Sequence, residues 1–127
     1  MIEISVKTNK KEEIIIIDKL IQERLKGKTG IATIFLQHSS AAIIINENWD
    51  PDLRQDILEA LSKLIPAGKW KHDKRDNNAA AHIKATILGS SVHVPVKDGK
   101  LLLGRWQSIA LVELDGPRIR NIIISIS

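Results

Sequence analysis

The sequence predicts an α+β fold, a mixed, largely antiparallel β-sheet with two or three helices packed against it. Three observations lead there. Segments rich in β-branched residues outnumber helical ones and crowd toward the end of the chain, where SSVHVPV, KLLLG, SIALVEL and RIRNIIISIS follow one another. Two segments, PDLRQDILEALSKLI and AAAHIKATIL, carry apolar residues at helical spacing. The 127 residues contain no internal repeat or linker and suffice for one core but not two, so a single domain over 1–127 is expected.

In order along the chain, EISVKTN and EEIIIID read as two strands joined at Lys10 and Lys11, because isoleucine is stiff at χ1 and suits extended backbone. DKLIQERLKG reads as a helix capped by Asp18, with Leu20, Ile21 and Leu25 at helical spacing and Gly27 and Gly30 closing it. GIATIFLQ is apolar on both faces and is expected to be central in its sheet, with His38 at its end. AAIIIN is another strand. Asp50 before Pro51 is a strong helix start, and Leu53, Ile57, Leu61 and Leu64 form the stripe of the helix that Pro66 ends. AGKWKHDKRDNN reads as a polar loop. The helix AAAHIKATIL is capped by Asn77 or Asn78 and stopped by Gly89, and the later strands are separated by turns at Asp98-Gly99 and Asp115-Gly116.

The formal net charge of +4 favours anionic partners. With three tryptophans, one phenylalanine and no tyrosine, the aromatic platform of single-strand nucleic-acid binders is missing, so a nucleic-acid partner is disfavoured. The isoleucine runs at 14–17 and 43–45 stop far short of the roughly 18 apolar residues of a membrane span. MIEISVKTNK lacks the features of a secretory signal, and without cysteine there is neither disulfide nor thiolate chemistry. A cytoplasmic protein with no membrane partner is expected.

His38, His72 and His82 fall at element ends or in the polar loop, and no pair has the spacing of a metalloprotease helix or zinc finger. Three neutral imidazoles with an open fourth position suit a divalent ion if the fold assembles them; the alternative is three separate histidines, each with its own structural or solvated place. His93 alternates with Val92 and Val94 and is read as surface. Glu47 is the better acid–base candidate, because capping already explains Asp50; a solvated strand-end glutamate is the alternative. Asn78 lies four residues before His82 and shares its side if the helix includes both; otherwise it is only a cap. Ser39 and Ser40 offer donors to an anion or satisfy the chain between two strands, and Ser90 and Ser91 offer hydroxyls after a helix end. Arg118 and Arg120 either fork onto a phosphate or pair with Asp115 or Glu113, structural pairing being the simpler choice.

Taken together, HSSAAIIINENWD, NNAAAHI and GSSVHVPVKDGKLLLGRWQSIALVELDGPRIR closely resemble the YjbQ-like family, also called the secondary thiamine-phosphate synthase family. The match runs from Gly30 onward and is carried by the ordered set His38, Glu47, Asp50, His72, Asn78, His82, Gly104, Trp106, Gln107, Asp115 and Arg118. The resemblance implies a small α+β subunit in a homotrimer, a divalent metal ion such as zinc or magnesium, and weak thiamine phosphate synthase activity. That reaction joins a pyrimidine methyl pyrophosphate to a thiazole phosphate and releases pyrophosphate. On this reading His38, His72 and His82 hold the metal, Glu47, Asn78 and Gln107 serve catalysis, and Ser39, Ser40, Ser91 and Arg118 bind the phosphorylated substrate. Two other readings stay open: metal-assisted hydrolysis of another phosphorylated metabolite, and a non-enzymatic module for an anionic metabolite or nucleic acid. Ser39 stands where the family usually has threonine, Arg105 where a small residue is common, and His93 where an aliphatic one is typical.

Overall fold

The computed structural model describes residues 1–47 and 49–127. In chain order the elements are β1 (Ile2–Lys7), β2 (Glu13–Ile16), α1 (Asp18–Gln22), β3 (Gly30–Leu36), β4 (Ala41–Glu47), α2 (Pro51–Leu64), a 3-10 turn (Lys71–Lys74), α3 (Ala79–Leu88), β5 (Ser91–Lys97), β6 (Lys100–Leu101), β7 (Gln107–Glu113) and β8 (Ile119–Ile126). The strands form two sheets, one in the order β1-β8-β3-β5-β6 and the other β2-β7-β4. Every strand pairing among the described residues is antiparallel. The expected α+β class therefore holds, with the sheet divided in two.

Burial explains the division. Alternate residues of the larger sheet, among them Ile34, Leu36, Ile122 and Ile124, meet Ile43, Ile109 and Leu111 of the smaller one, and Ile17, Ile21 and Leu25 pack into the same core. Each such fully buried side chain contributes about 1.5–3 kcal/mol of transfer free energy. β7 is buried on both faces, and its Val112, with Ala42 and Leu114, packs against Leu58 of α2 and Ala81 and Ala85 of α3. The result is three layers: large sheet, small sheet, helices. The large sheet's outer side remains uncovered within this chain, leaving Ile31, Phe35 and Ile119 exposed. β3 is central, as its pattern implies, but only one of its faces is buried.

Several local expectations need correction. β1 and β2 do not pair: β1 joins β8 and β2 joins β7, so the Lys10-Lys11 segment crosses between sheets. Local patterning says that a strand exists but not which partner it takes. α1 spans five residues with Ile17 at its N-cap, and the Asp18 carboxylate instead accepts from the Ser108 hydroxyl and the Ile109 amide. In α2 the side-chain carboxylate of Asp50 caps as expected, but Leu58 is the buried residue and Leu64 is 77% exposed. The polar loop contains the 3-10 turn. Asp98 and Gly99 both have positive φ, 49° and 79°, and join β5 to β6 in a two-residue hairpin. The Asp115-Gly116 turn carries the chain from one sheet to the other instead.

A candidate anion cleft lined by two histidines

Where β3 ends, β4 and β8 begin and α3 passes overhead, the chain leaves an open cleft of about 1180 Å3. Its lining includes His38, Ser39, Ser40, Asn78, His82 and Arg118. The floor is set by a buried ion pair that strand alternation drives inward. Arg120, 1% exposed, donates from Nε to Glu113 Oε1 at 2.9 Å and from a terminal nitrogen to Glu113 Oε2. The same terminal nitrogen reaches the Ser40 carbonyl at 3.1 Å and its hydroxyl at 3.0 Å, tying the β3–β4 connection to β8. Burial alone would raise the Glu113 carboxyl; donors from Arg120, Thr8 and the Asp115 amide outweigh it and hold it below the ordinary range.

A second network orients the rim. Asp115 accepts from Lys11, from Asn78 Nδ2 at 2.8 Å and from Arg118 at 3.0 Å. Burial opposes its ionisation, but these three donors together lower its pKa to about 2. Arg118 also donates from Nε to the Asp115 carbonyl at 2.7 Å, so its half-exposed guanidinium is held at the cleft rather than left to wander. Asn78 occupies the N-cap position of α3 without capping it, because Asp73 accepts from the Ala79 amide at 3.0 Å and frees the Asn78 side chain for Asp115. Its Oδ1 is buried and has no hydrogen-bond partner among the described residues.

The two histidines of the cleft are each fixed by a backbone group. His82 donates from Nδ1 to the Ser39 carbonyl at 2.9 Å, so that in the neutral ring the lone pair is on Nε2. His38 accepts at Nε2 from the Asn121 amide at 2.9 Å, continuing the β3–β8 ladder that Gln37 extends by donating to the Asn121 carbonyl. Burial, followed by the Arg120 charge, lowers the His38 pKa below the ordinary 6.5.

The structure therefore gathers six of the ten predicted site residues, and places the others elsewhere. His72 touches His82 edge to face with ring centroids 5.2 Å apart, while its Nε2 lies 3.4 Å from Asp76. Ser91 is exposed at the start of β5, and Ser90 lines the cleft in its stead. Glu47 and Gln107 pair across β4 and β7 at the far end of the small sheet. Six residues of strand separate Glu47 from Ala41 at the cleft, about 20 Å. Gln107 there accepts from the Gly104 amide at 2.8 Å, beside an edge-on Trp49–Trp106 contact. The three-histidine metal centre does not fit: with Nε2 accepting from an amide, neutral His38 has no free lone pair. No group of three His, Cys, Asp or Glu side chains among the described residues is placed to hold a metal ion. Sequence reading missed Asn121, whose backbone amide fixes His38, whereas the Ser90 hydroxyl and the pairing of Arg120 with Glu113 and of Arg118 with Asp115 stand as that reading offered them.

Comparison with known proteins agrees on the fold and corrects the activity. The family model of the UPF0047 protein YjbQ-like family matches residues 2–127. A UPF0047 protein of Archaeoglobus fulgidus is 46% identical over 123 residues, covering 96% of this chain and 97% of its own. The UPF0047 protein YugU of Bacillus subtilis is 39% identical over 127 residues, covering 95% and 94%. A crystal structure from Clostridium acetobutylicum, described as an uncharacterised conserved protein of the same family, superposes with a TM-score of 0.92 at 41% identity over the whole of both chains. These relatives carry a family designation and no activity. The expectation of thiamine phosphate synthase activity is thereby overturned, since nothing in the matched proteins supports it. Among the described residues no helix is long and apolar enough to cross a membrane.

Proposed function

The chain belongs to the UPF0047 protein YjbQ-like family, and from that premise we propose an enzyme whose cleft binds a small anionic molecule and moves a proton through His82. One observation carries this reading: the Ser39 carbonyl accepts from His82 Nδ1 on a cleft that also presents Arg118, so that in the neutral ring Nε2 carries the lone pair. Arg118, oriented by Asp115, supplies the positive charge for a phosphate or carboxylate group. The Ser40 and Ser90 hydroxyls add donors, and His82 accepts the proton because its partner leaves it no other free role. No step is assigned to a metal.

Calorimetric titration with a panel of phosphate monoesters and carboxylates, set against their uncharged parents, tests the reading. Anionic compounds bind and the parents do not, Arg118→Ala weakens binding by about tenfold or more, and His82→Ala abolishes turnover of any compound that reacts. Binding that survives Arg118→Ala unchanged overturns it.

The same reading includes a homotrimer. Phe35 and Ile119 lie both on the uncovered sheet face and on the cleft wall, so apolar surface continues from one to the other. Glu47 and Gln107, about 20 Å from the cleft of their own chain, meet a cleft only when another copy brings them there. Light scattering should read three times the 14.2 kDa chain mass; a monomer overturns the assembly.

A further inference from the structure

Resting on the reading of the cleft as a ligand site, we propose that its ligand carries two unlike groups, an anionic acceptor and a hydrogen-bond donor, because His38 and His82 meet it in opposite roles. An amide can only donate, so Asn121 requires a lone pair on His38 Nε2 and puts the proton of the neutral ring on Nδ1. A carbonyl can only accept, so Ser39 requires a proton on His82 Nδ1, and in the neutral ring Nε2 keeps its lone pair. Both rings are thus the same tautomer, yet one offers the ligand an N–H and the other a lone pair.

The donating side consists of His38 Nδ1–H, the Arg118 guanidinium and the Ser40 hydroxyl, whose oxygen already accepts from Arg120. The accepting side is His82 Nε2. A carboxylate or fully ionised phosphate alone satisfies the first side but sets its lone pairs against that of His82. A neutral alcohol or amine satisfies the second and leaves Arg118 unused. The class that answers both is a phosphate monoester or carboxylate bearing a free hydroxyl or ammonium group. Burial of His38 keeps its ring neutral and therefore a single-proton donor. A site built to hydrogen-bond a group discriminates strongly against analogues that lack it, whereas charge alone does not.

Long-range proton–nitrogen-15 spectra of the full chain read the tautomers directly. Protonation at Nδ1 in both His38 and His82 is expected, and a proton on His38 Nε2 overturns the inference. Three probes then test the ligand class: ethyl phosphate, 2-hydroxyethyl phosphate and 2-aminoethyl phosphate. At least one donor-bearing ester should bind about tenfold or more tightly than ethyl phosphate, and His82→Ala should erase that preference; a preference that survives in His82→Ala overturns the role given to His82. Equal binding of all three overturns the two-group requirement and leaves the anion site standing. Binding by none overturns the anion site and this inference with it.

Discussion

Replacing Arg120 with alanine isolates the contribution of the buried pair beneath the cleft. Removing one partner of a buried ion pair costs about 3–5 kcal/mol, mostly because the other charge is left without compensation. Glu113 would keep three donors, from the Thr8 hydroxyl and the Leu114 and Asp115 amides, which places the loss at the lower end. The Ser40 carbonyl and hydroxyl lose their Arg120 contact as well. A loss of about 3 kcal/mol corresponds to a Tm lower by about 10–15 °C for a chain of this size. The double variant Glu113→Gln with Arg120→Met removes both charges while the glutamine carbonyl still accepts, so it should recover about half of the loss or more. Urea unfolding of the wild type and both variants, monitored by tryptophan fluorescence, measures these differences. A loss under about 1 kcal/mol for Arg120→Ala, or a double variant no better than the single one, refutes the reasoning.

Acid should weaken the fold through His38. Its folded-state pKa lies below 6.5, so the unfolded chain binds the proton more readily; the contribution is whole above that value and is lost as pH falls through the folded one. The charges of Arg120, Glu113 and Arg118 act on this ring, the two arginines favouring the neutral form and Glu113 the charged one. Urea midpoints measured from about pH 7.5 down to about 5.5 should fall more steeply for wild type than for His38→Gln, which keeps an acceptor that does not titrate; parallel curves would sink the assignment. Gly116→Ala should cost more than about 2 kcal/mol, since its Cβ would collide with the Lys10 carbonyl oxygen and lie 2.8 Å from Glu113 Cγ. Gly27→Ala, with positive φ but open space around it, should cost only about 1 kcal/mol, and equal thermal shifts for the two would contradict the packing argument.

Much of the element pattern was legible because burial imposes it locally. The run AAIIINE reads as a strand since neighbouring layers bury both its faces, and Asp50-Pro51 marks a helix start because the cap acts within two residues. Long-range partners were not legible in that way. Nothing within EISVKTN says that its strand joins the last one in the chain, and nothing near Asn78 says that Asp73 takes over the capping role. The histidine roles depend on backbone groups, Asn121 and Ser39, whose proximity only the fold creates. The remoteness of Glu47, by contrast, was calculable: a straight strand between it and Ser40 excludes a shared pocket within one chain.

The order β1-β8-β3 also bears on biosynthesis. β8 is an interior strand made after the two it separates, with Ile2 opposite Ile124. Until β8 emerges, the nascent polypeptide has two adhesive strand borders facing an empty slot, so its large sheet closes late and all at once. Slow translation or premature termination upstream of Ile119 should therefore favour clumping over half-formed native structure.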